Sequence, residues 1–268
     1  MADLFLRSGR GLVTVMAVFW LVFLVAPIVV TLASSFTSST YLTFPPPGWS
    51  VRWYLSAFES EWVWSTFWNS VVIAVVSTTI AVALGIAAAR VLARHRFYGR
   101  GAFEYAVLSP LVIPGVVVGF ALLNVSVLIE TQDAGLLNLI IGHTMVTTPF
   151  TLRSVWSSMA GSEISLEEAA QSLGATRWSA FWLVVFPLIV PGIVAGAIIA
   201  FTFSFNDVTI SAFLSAREAR TLPVELMSHI EYLPDPTPAA VSSLMIVITL
   251  AFFLLVERTV GLDVFADR

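Results

Sequence analysis

Residues 178–206 read WSAFWLVVFPLIVPGIVAGAIIAFTFSFN, a run with no charged side chain between Arg177 and Asp207. A helix that crosses the hydrocarbon core of a bilayer needs about 20 consecutive, mainly apolar residues, so this run is long enough to cross it once. Five other charge-free runs occur along the chain, and the sequence therefore predicts six spans. They lie near 11–35, 66–89, 105–128, 136–157, 182–206 and 237–256.

The composition supports the same fold class. Hydrophobic residues make up 58% of the chain and charged residues 11%, whereas an ordinary soluble domain is about 25% charged. Lipid offers no hydrogen-bond partners, so a spanning segment must satisfy its backbone internally. We therefore predict an all-α integral membrane protein that forms a single transmembrane domain over residues 1–268.

The placement of the basic residues predicts the orientation. If the amino terminus is cytoplasmic, only Arg52, Arg217 and Arg220 of the 13 basic residues fall outside. Basic residues near the ends of spans favour the cytoplasmic side, so both termini are predicted to be cytoplasmic. The chain has no cysteine, which excludes disulfides, thiol catalysis and cysteine metal sites.

The predicted cytoplasmic loop at 158–181 contains SEISLEEAAQSLG at positions 162–174. Ser165 and Glu168 have the spacing of a capping box, which predicts that a short helix begins there. Glu167 adds negative charge at the positive end of that helix. Gly174 follows where a left-handed C-terminal cap is needed, and Thr176 can cap the next helix. The loop is thus predicted to hold a helix of about two turns, capped at both ends.

One face of this short helix is apolar. Its residues follow the helical spacing i, i+3, i+4 and i+7, and they are Leu166, Ala169, Ala170 and Leu173. A helix of two turns is marginal in water, so we expect the face to need a partner surface. An amphipathic elbow that lies on the membrane has the same composition and remains the alternative.

The spacing of the loop resembles a known motif. Glu168, Ala169 and Ala170 are followed after three residues by Gly174 and after nine more by the sequence VVFP at 184–187. This resembles the EAA signature of the membrane subunits of binding-protein-dependent ABC importers, Glu-Ala-Ala-x3-Gly-x9-Ile-x-Leu-Pro. Val184 and Phe186 stand where the family has isoleucine and leucine. Over roughly 60–255 the chain is similar to the smaller permease of the spermidine/putrescine (polyamine/opine/phosphonate) group.

The resemblance implies a type I importer of the bacterial inner membrane. It implies a second permease that is a different chain, two ATPase subunits that bind ATP and Mg, and an external substrate-binding protein that faces the outer loops. No cofactor on this chain, no catalysis by it and no nucleic acid are expected. The substrate is expected to be a small nitrogenous solute, polyamine-like or amino-acid-like. The residues expected to couple to the ATPases are Ser165, Glu167, Glu168, Ala169, Ala170 and Gly174.

Candidates for the substrate pathway are polar groups near or within the spans, since such groups are costly in lipid. The main ones are Asn69, Asn124, Asn206 and Asp207; weaker ones are Ser109, Ser204, Thr144 and Thr147. Asp207 would attract a cationic solute. The polyamine group has two adjacent acids near this position, whereas the first residue here is Asn206. Hydrogen bonding between helices is the alternative role.

Two other classes of function remain as alternatives. A stand-alone secondary transporter would carry its own ion site and usually two related halves, and no internal repeat is visible. A membrane-embedded enzyme would need a catalytic constellation within the spans, and His143, the one histidine in a span, has no obvious carboxylate to orient it. The chain also lacks lysine and any GxxxxGK[ST] motif. A requirement for an ATPase subunit separates the importer from both alternatives.

Overall fold

The computed structural model describes the backbone of residues 2–160, 164–216, 219–233 and 235–260. Within these ranges it describes the side chains except at 2–12, 160, 164–165, 255–257 and 259–260. A 3-10 turn covers Ser109–Leu111 and a π-helix covers Phe181–Val185. The α-helices are α1 (Ala2–Ser35), α2 (Arg52–Glu59), α3 (Glu61–Arg94), α4 (Arg100–Leu108), α5 (Gly115–Leu128), α6 (Gly135–Ala160), α7 (Ile164–Ser172), α8 (Arg177–Ala180), α9 (Phe186–Asn206), α10 (Thr209–Leu214), α11 (Leu222–Tyr232) and α12 (Thr237–Val260).

Long apolar helices occupy most of the predicted spans. Within the described ranges, four helical segments are long and apolar enough to cross a membrane, and a bent helix pair adds a fifth candidate. α6 covers the remaining predicted span with 26 residues. Its polar side chains lower its mean hydropathy, and it is not among these candidates. The number of six crossings therefore stays a prediction.

The span predicted over 105–128 is broken in the structure. The structure has α4 and a 3-10 turn up to Leu111, and then α5 begins at Gly115 with a bend of 102° between the two halves. Pro114 precedes α5 with an extended ψ of 133°. Proline disfavours helical backbone at the residue before it, so the chain turns at this point instead of continuing the helix.

The chain divides into two compact units, Met1–Val63 with Ser228–Leu250, and Trp64–Met227 with Ala251–Arg268. In the first unit, all side chains from 13 to 30 on α1 are exposed. The segment after α1 is tied to α2, because Ser35 Oγ lies 2.6 Å from the Tyr54 hydroxyl.

The second unit is built around the pair formed by α6 and α9, which pack closely because α9 presents glycines to α6. A Cβ atom at Gly196 would lie 2.9 Å from Thr151 Cα, and one at Gly192 would lie 2.7 Å from the Ser154 carbonyl oxygen. Small residues four apart let helix backbones approach in this way.

An apolar core of the second unit joins α3, α6, the π-helix and the start of α9. Its buried members are Ala88, Ala89, Leu92, Leu152, Val155, Met159, Phe181, Val185 and Ile189. This core lies beside the loop that carries α7, since Phe181 belongs to both the core and the π-helix that follows the loop. The loop is therefore attached to a well-packed part of the molecule.

Candidate functional site

The short helix predicted in the 158–181 loop is present as α7, within one or two residues of its predicted bounds. Gly174 has φ +96°, so the left-handed C-terminal cap is confirmed. The Gly174 amide donates to the Gln171 carbonyl at 3.0 Å, and the Ala175 amide donates to the Ala170 carbonyl at 3.1 Å. These bonds satisfy carbonyls that a helix end leaves without partners.

Two further caps were predicted, one at the start of α8 and one at the start of α7. Thr176 Oγ1 accepts a hydrogen bond from the Ser179 amide at 3.1 Å, which confirms the predicted cap of α8. The capping box predicted at Ser165 and Glu168 lies outside the described side chains, because the side chain of Ser165 is not among them.

The apolar face of α7 has no cover within the described part of the chain. Leu166 is 46% exposed and Leu173 is 91% exposed. Ala169 is also exposed and Ala170 is half-buried. Two turns of helix with an open apolar face are marginal in water, and the partner surface for α7 stays a prediction.

The two adjacent glutamates of α7 have different surroundings. Glu167 is only 8% exposed, and its carboxylate lies between Arg90 and Arg94 on α3. Arg90 Nη2 is 3.4 Å from Oε1, and Arg94 Nε is 3.1 Å from Oε2. Glu168 is exposed. One glutamate therefore faces the protein and the other faces outward.

The first residue of the π-helix, Phe181, also contacts one of these two arginines. The guanidinium of Arg90 lies 4.1 Å from the centre of the Phe181 ring, a cation–π contact. We call Glu167, Arg90, Arg94 and Phe181 the Glu167 cluster. It joins α7, the C-terminal end of α3 and the first residue of the π-helix, three elements that are separate in sequence.

The predicted pathway residues do not form one site in the described structure. Asn124 Nδ2 donates to the Phe120 carbonyl and Asn206 Nδ2 to the Thr202 carbonyl, each one turn back in its own helix. Asn69 Nδ2 donates to the Arg220 carbonyl at 3.1 Å. Asn124 and Asn206 are exposed and Asn69 is half-buried, and the bond of Asn69 ties α3 to the segment before α11.

Asp207 is engaged in the fold rather than open to a solute. Its Oδ2 accepts hydrogen bonds from the Ile210 amide at 3.0 Å and from the Ser211 amide at 2.9 Å. It also accepts from Ser211 Oγ at 3.2 Å. Asp207 thus caps the first turn of α10, where a carboxylate is favourable.

The sequence found no carboxylate for His143, and the structure corrects this. His143 on α6 is fully buried, with Nδ1 2.7 Å from Ser204 Oγ and Nε2 2.9 Å from Ser211 Oγ. Asp207 Oδ2 lies 3.8 Å from Nε2. Ser77 Oγ on α3 lies 3.2 Å from Ser204 Oγ. We call these five residues the His143 network; it connects α3, α6, α9 and α10.

A groove missed by the sequence reasoning lies along α3, α9 and α12. It has a volume of about 400 Å³, and Thr78, Thr79, Phe201 and Phe252 are among the residues that line it. Its lining is mostly aliphatic, with two threonine hydroxyls and two phenylalanine rings, and the described residues that line it include no carboxylate. The Thr78-Thr79 pair in the middle of a span was the available signal. Within the described residues, no group of three or more His, Cys, Asp or Glu could hold a metal ion.

Residues 81–262 match the family model described as "Binding-protein-dependent transport system inner membrane component". The match covers more than half of the chain and includes α7 and its caps. The chain belongs to this family. It is an ABC importer permease subunit, a multi-pass protein of the inner membrane.

Curated relatives support the same family. The importer permease is 34% identical over 230 residues to the putrescine transport system permease protein PotI of Escherichia coli K12, covering 84% of this chain and 82% of that one. It is 27% identical to the spermidine/putrescine transport system permease protein PotC of the same organism, covering 87% of each. These matches bear out the resemblance read from the EAA motif.

Solved structures show the fold. The importer permease matches a chain of a bacterial ABC transporter involved in the import of the acidic polysaccharide alginate, with a TM-score of 0.75, 17% identity and 94% of each chain covered. The match to a MetNI methionine ABC transporter has a TM-score of 0.57 and 19% identity, and it covers 75% of this chain and 94% of that one.

Proposed function

We propose that this chain forms part of the substrate pathway of an ATP-driven importer for a small nitrogenous, polyamine-like solute, and that α7 couples it to ATPase subunits. The observation that carries the coupling is the geometry of α7. It is a short helix with a left-handed cap at Gly174 and an open apolar face. Such a helix is stable in water only with a partner surface.

The mechanism needs rigid transmission. The chain has no ATP-binding motif of its own, so partner ATPases that bind ATP and Mg supply the energy. When the ATPases close, a coupling helix has to move as a body with the spans. The small residues Ala169 and Ala170 permit close docking, and Glu168 offers an outward charge. A second permease chain and an external binding protein complete the assembly.

The nitrogenous substrate rests on the similarity to PotI and PotC, whose names state putrescine and spermidine transport. The candidate pathway residues give no support for a cationic substrate. Asp207 is used as a helix cap, and the described residues that line the groove include no carboxylate. The substrate is therefore best identified through the loaded binding protein.

The test is the ATPase rate of the purified assembly in lipid vesicles, with the partner subunits and with binding protein preloaded with putrescine, spermidine, an amino acid or a disaccharide. We expect stimulation by an amine-loaded binding protein. Gly174→Asp, which adds a charge and a side chain at a left-handed position, should abolish stimulation and uptake while the chain still inserts.

Two control variants separate coupling from backbone strain. Gly174→Asn keeps a residue that tolerates positive φ and adds no charge, so it should retain most of the stimulation. Gly99 also has positive φ and open space around it, and Gly99→Asp should leave stimulation intact. Normal uptake by Gly174→Asp would contradict the coupling assignment. Uptake by the chain without any ATPase would favour a secondary transporter, and chemical modification of a solute would favour a membrane enzyme.

A further inference from the structure

Within the proposed coupling loop, the two adjacent glutamates face opposite ways. Glu167 is enclosed by arginines of α3, and Glu168 is exposed. We infer that Glu167 is a positioning residue that ties α7 to the C-terminal end of α3, so that α3 moves with α7 during the ATPase cycle. This inference rests on the function proposed above. Of the two glutamates, it leaves Glu168 to face the ATPase subunit.

The first support is the charge arrangement. Arg90 and Arg94 lie four residues apart on α3 and therefore share one face of that helix. Both reach the same carboxylate, at 3.4 Å and 3.1 Å. The Arg94 ion pair is close, although its Nε–H is not aligned for a hydrogen bond with any described acceptor. Removing one partner would leave charge in a mostly buried place, which is unfavourable.

The second support is the route through the chain. α7 is joined covalently to α6 and α8, whereas Arg90 on α3 lies 77 residues before Glu167 in the sequence, so α3 has no direct peptide link to the loop. The Glu167 cluster is thus a direct polar connection from α7 to α3. The cation–π contact of Arg90 with Phe181 adds the start of the π-helix to the same connection.

The third support is what α3 can do once it is moved. Its Leu92 packs in the core with Phe181, and its Thr78 and Thr79 line the groove described above. A displacement of α7 that reached α3 would therefore change the surface that lines the groove. Without the Glu167 cluster, the motion of α7 would reach α3 indirectly, through the contacts of α3 with α6 and the π-helix.

The first arm of the test measures the position of α7 relative to α3 in the purified chain. The chain has no cysteine, so Trp68→Cys on α3 and Leu173→Cys after α7 allow two specific spin labels; both positions are exposed. Residues 68 and 90 are separated by roughly 33 Å along the helix axis, which suits pulsed dipolar measurements. Glu167→Gln and Arg94→Gln should broaden the distance distribution, and Glu168→Gln should leave it narrow.

The second arm uses the assembled importer and measures solute imported per ATP hydrolysed. We expect Glu167→Gln to lower that ratio by about tenfold, within the usual range of coupling between sites, while ATP is still hydrolysed. Arg94→Gln should act alike, and the double variant should be no worse than either single one because the same interaction is lost.

The outcomes separate the two proposals. Distance distributions for Glu167→Gln and Arg94→Gln that superimpose on the parent would overturn the inference, and so would equal broadening in Glu168→Gln. Broadening with an unchanged ratio of solute to ATP would overturn the transmission to α3. A parent assembly that no loaded binding protein stimulates would defeat the proposed function, whereas the label distances still decide whether Glu167 holds α7 to α3.

Discussion

Asp207 shows how one carboxylate at the end of a membrane segment serves the fold. Its Oδ2 accepts hydrogen bonds from two backbone amides of α10 and lies 3.8 Å from Nε2 of the buried His143. A carboxylate so engaged stabilises the start of α10 and supports the His143 network. The side chain next to it, Asn206, is exposed and bonds only its own helix among the described contacts.

Asp207→Ala should therefore lower the stability of the chain, and Asn206→Ala should not. Loss of a cap costs about 1 kcal/mol, and the loss of an acceptor near buried Ser211 adds to it. Thermal unfolding followed by tryptophan fluorescence in detergent measures the difference. Equal unfolding temperatures for the two variants would contradict the capping role and make Asp207 a candidate for the substrate pathway again.

Asp235 is a second capping carboxylate, placed just before α12. Its Oδ1 accepts from the Thr237 amide at 2.7 Å, and its Oδ2 lies 3.1 Å from His229 Nε2. Partial burial raises the pKa of Asp235, but the hydrogen bonds from Thr237 and the contact with His229 outweigh burial, and the pKa lies below its usual value.

A lowered pKa makes the contribution of Asp235 dependent on pH. The stabilisation is present above the unfolded pKa of about 3.9 and is lost as the pH falls through the lower folded value. The parent should unfold at a higher temperature than Asp235→Asn near neutral pH, and the difference should shrink between about pH 5 and pH 3. A difference that grows on acidification would contradict this assignment.

Among the elements, the pair of α6 and α9 depends on two glycines. Gly192 and Gly196 lie four apart in an apolar segment, a spacing typical of close helix pairs in membranes. The sequence contained this signal, but a motif of two glycines does not name the partner helix. The structure names it, because Thr151 and Ser154 of α6 meet these glycines.

Gly196→Ala should destabilise the chain, since its Cβ would lie 2.9 Å from Thr151 Cα. The matched control is Gly101→Ala on α4, where a Cβ would meet nothing within 4 Å and alanine favours the helix. The two variants should shift the unfolding temperature in opposite directions. A gain in stability for Gly196→Ala would contradict the close approach of α6 and α9.

The sequence predicted the elements better than their contacts. Charge-free runs marked the long helices, and Gly174 and Thr176 marked the end of α7 and the start of α8. The size of the turn at Pro114 did not follow from the sequence, because proline is tolerated inside spans whose neighbours satisfy the backbone. In the His143 network, His143 contacts one serine that lies 61 positions further along the chain and another that lies 68 positions further. No pattern in one sequence predicts which faces of two apolar helices are in contact. The same limit hid the different roles of Glu167 and Glu168.

At the scale of the whole molecule, the number of crossings depends on α6 and on the bent pair formed by α4 and α5. α6 is long enough to span, but His143 and several threonines are buried along it, and its hydropathy is modest. If α6 crosses, the loops on its two sides face opposite compartments. If it does not, they face the same one.

Reporter fusions measure this directly. A phosphatase that is active only outside should be active when fused after Asp133 or Tyr232, and a fluorescent protein that folds inside should fluoresce when fused after Arg96 or Gly174. These results would fit six crossings with cytoplasmic termini. Fusions after Asp133 and Gly174 that report the same side would remove α6 from the count.

The left-handed backbone at Gly174 has a consequence for how its gene can change. Asparagine tolerates this conformation best after glycine, but no single-base change converts a glycine codon into an asparagine codon. Aspartate is one base away from the glycine codons GGT and GGC, and it adds a charge beside the open face of α7. The codon at 174 thus has no single-base missense change that preserves both the turn and the surface, so drift at this position should be far slower than at Gly101.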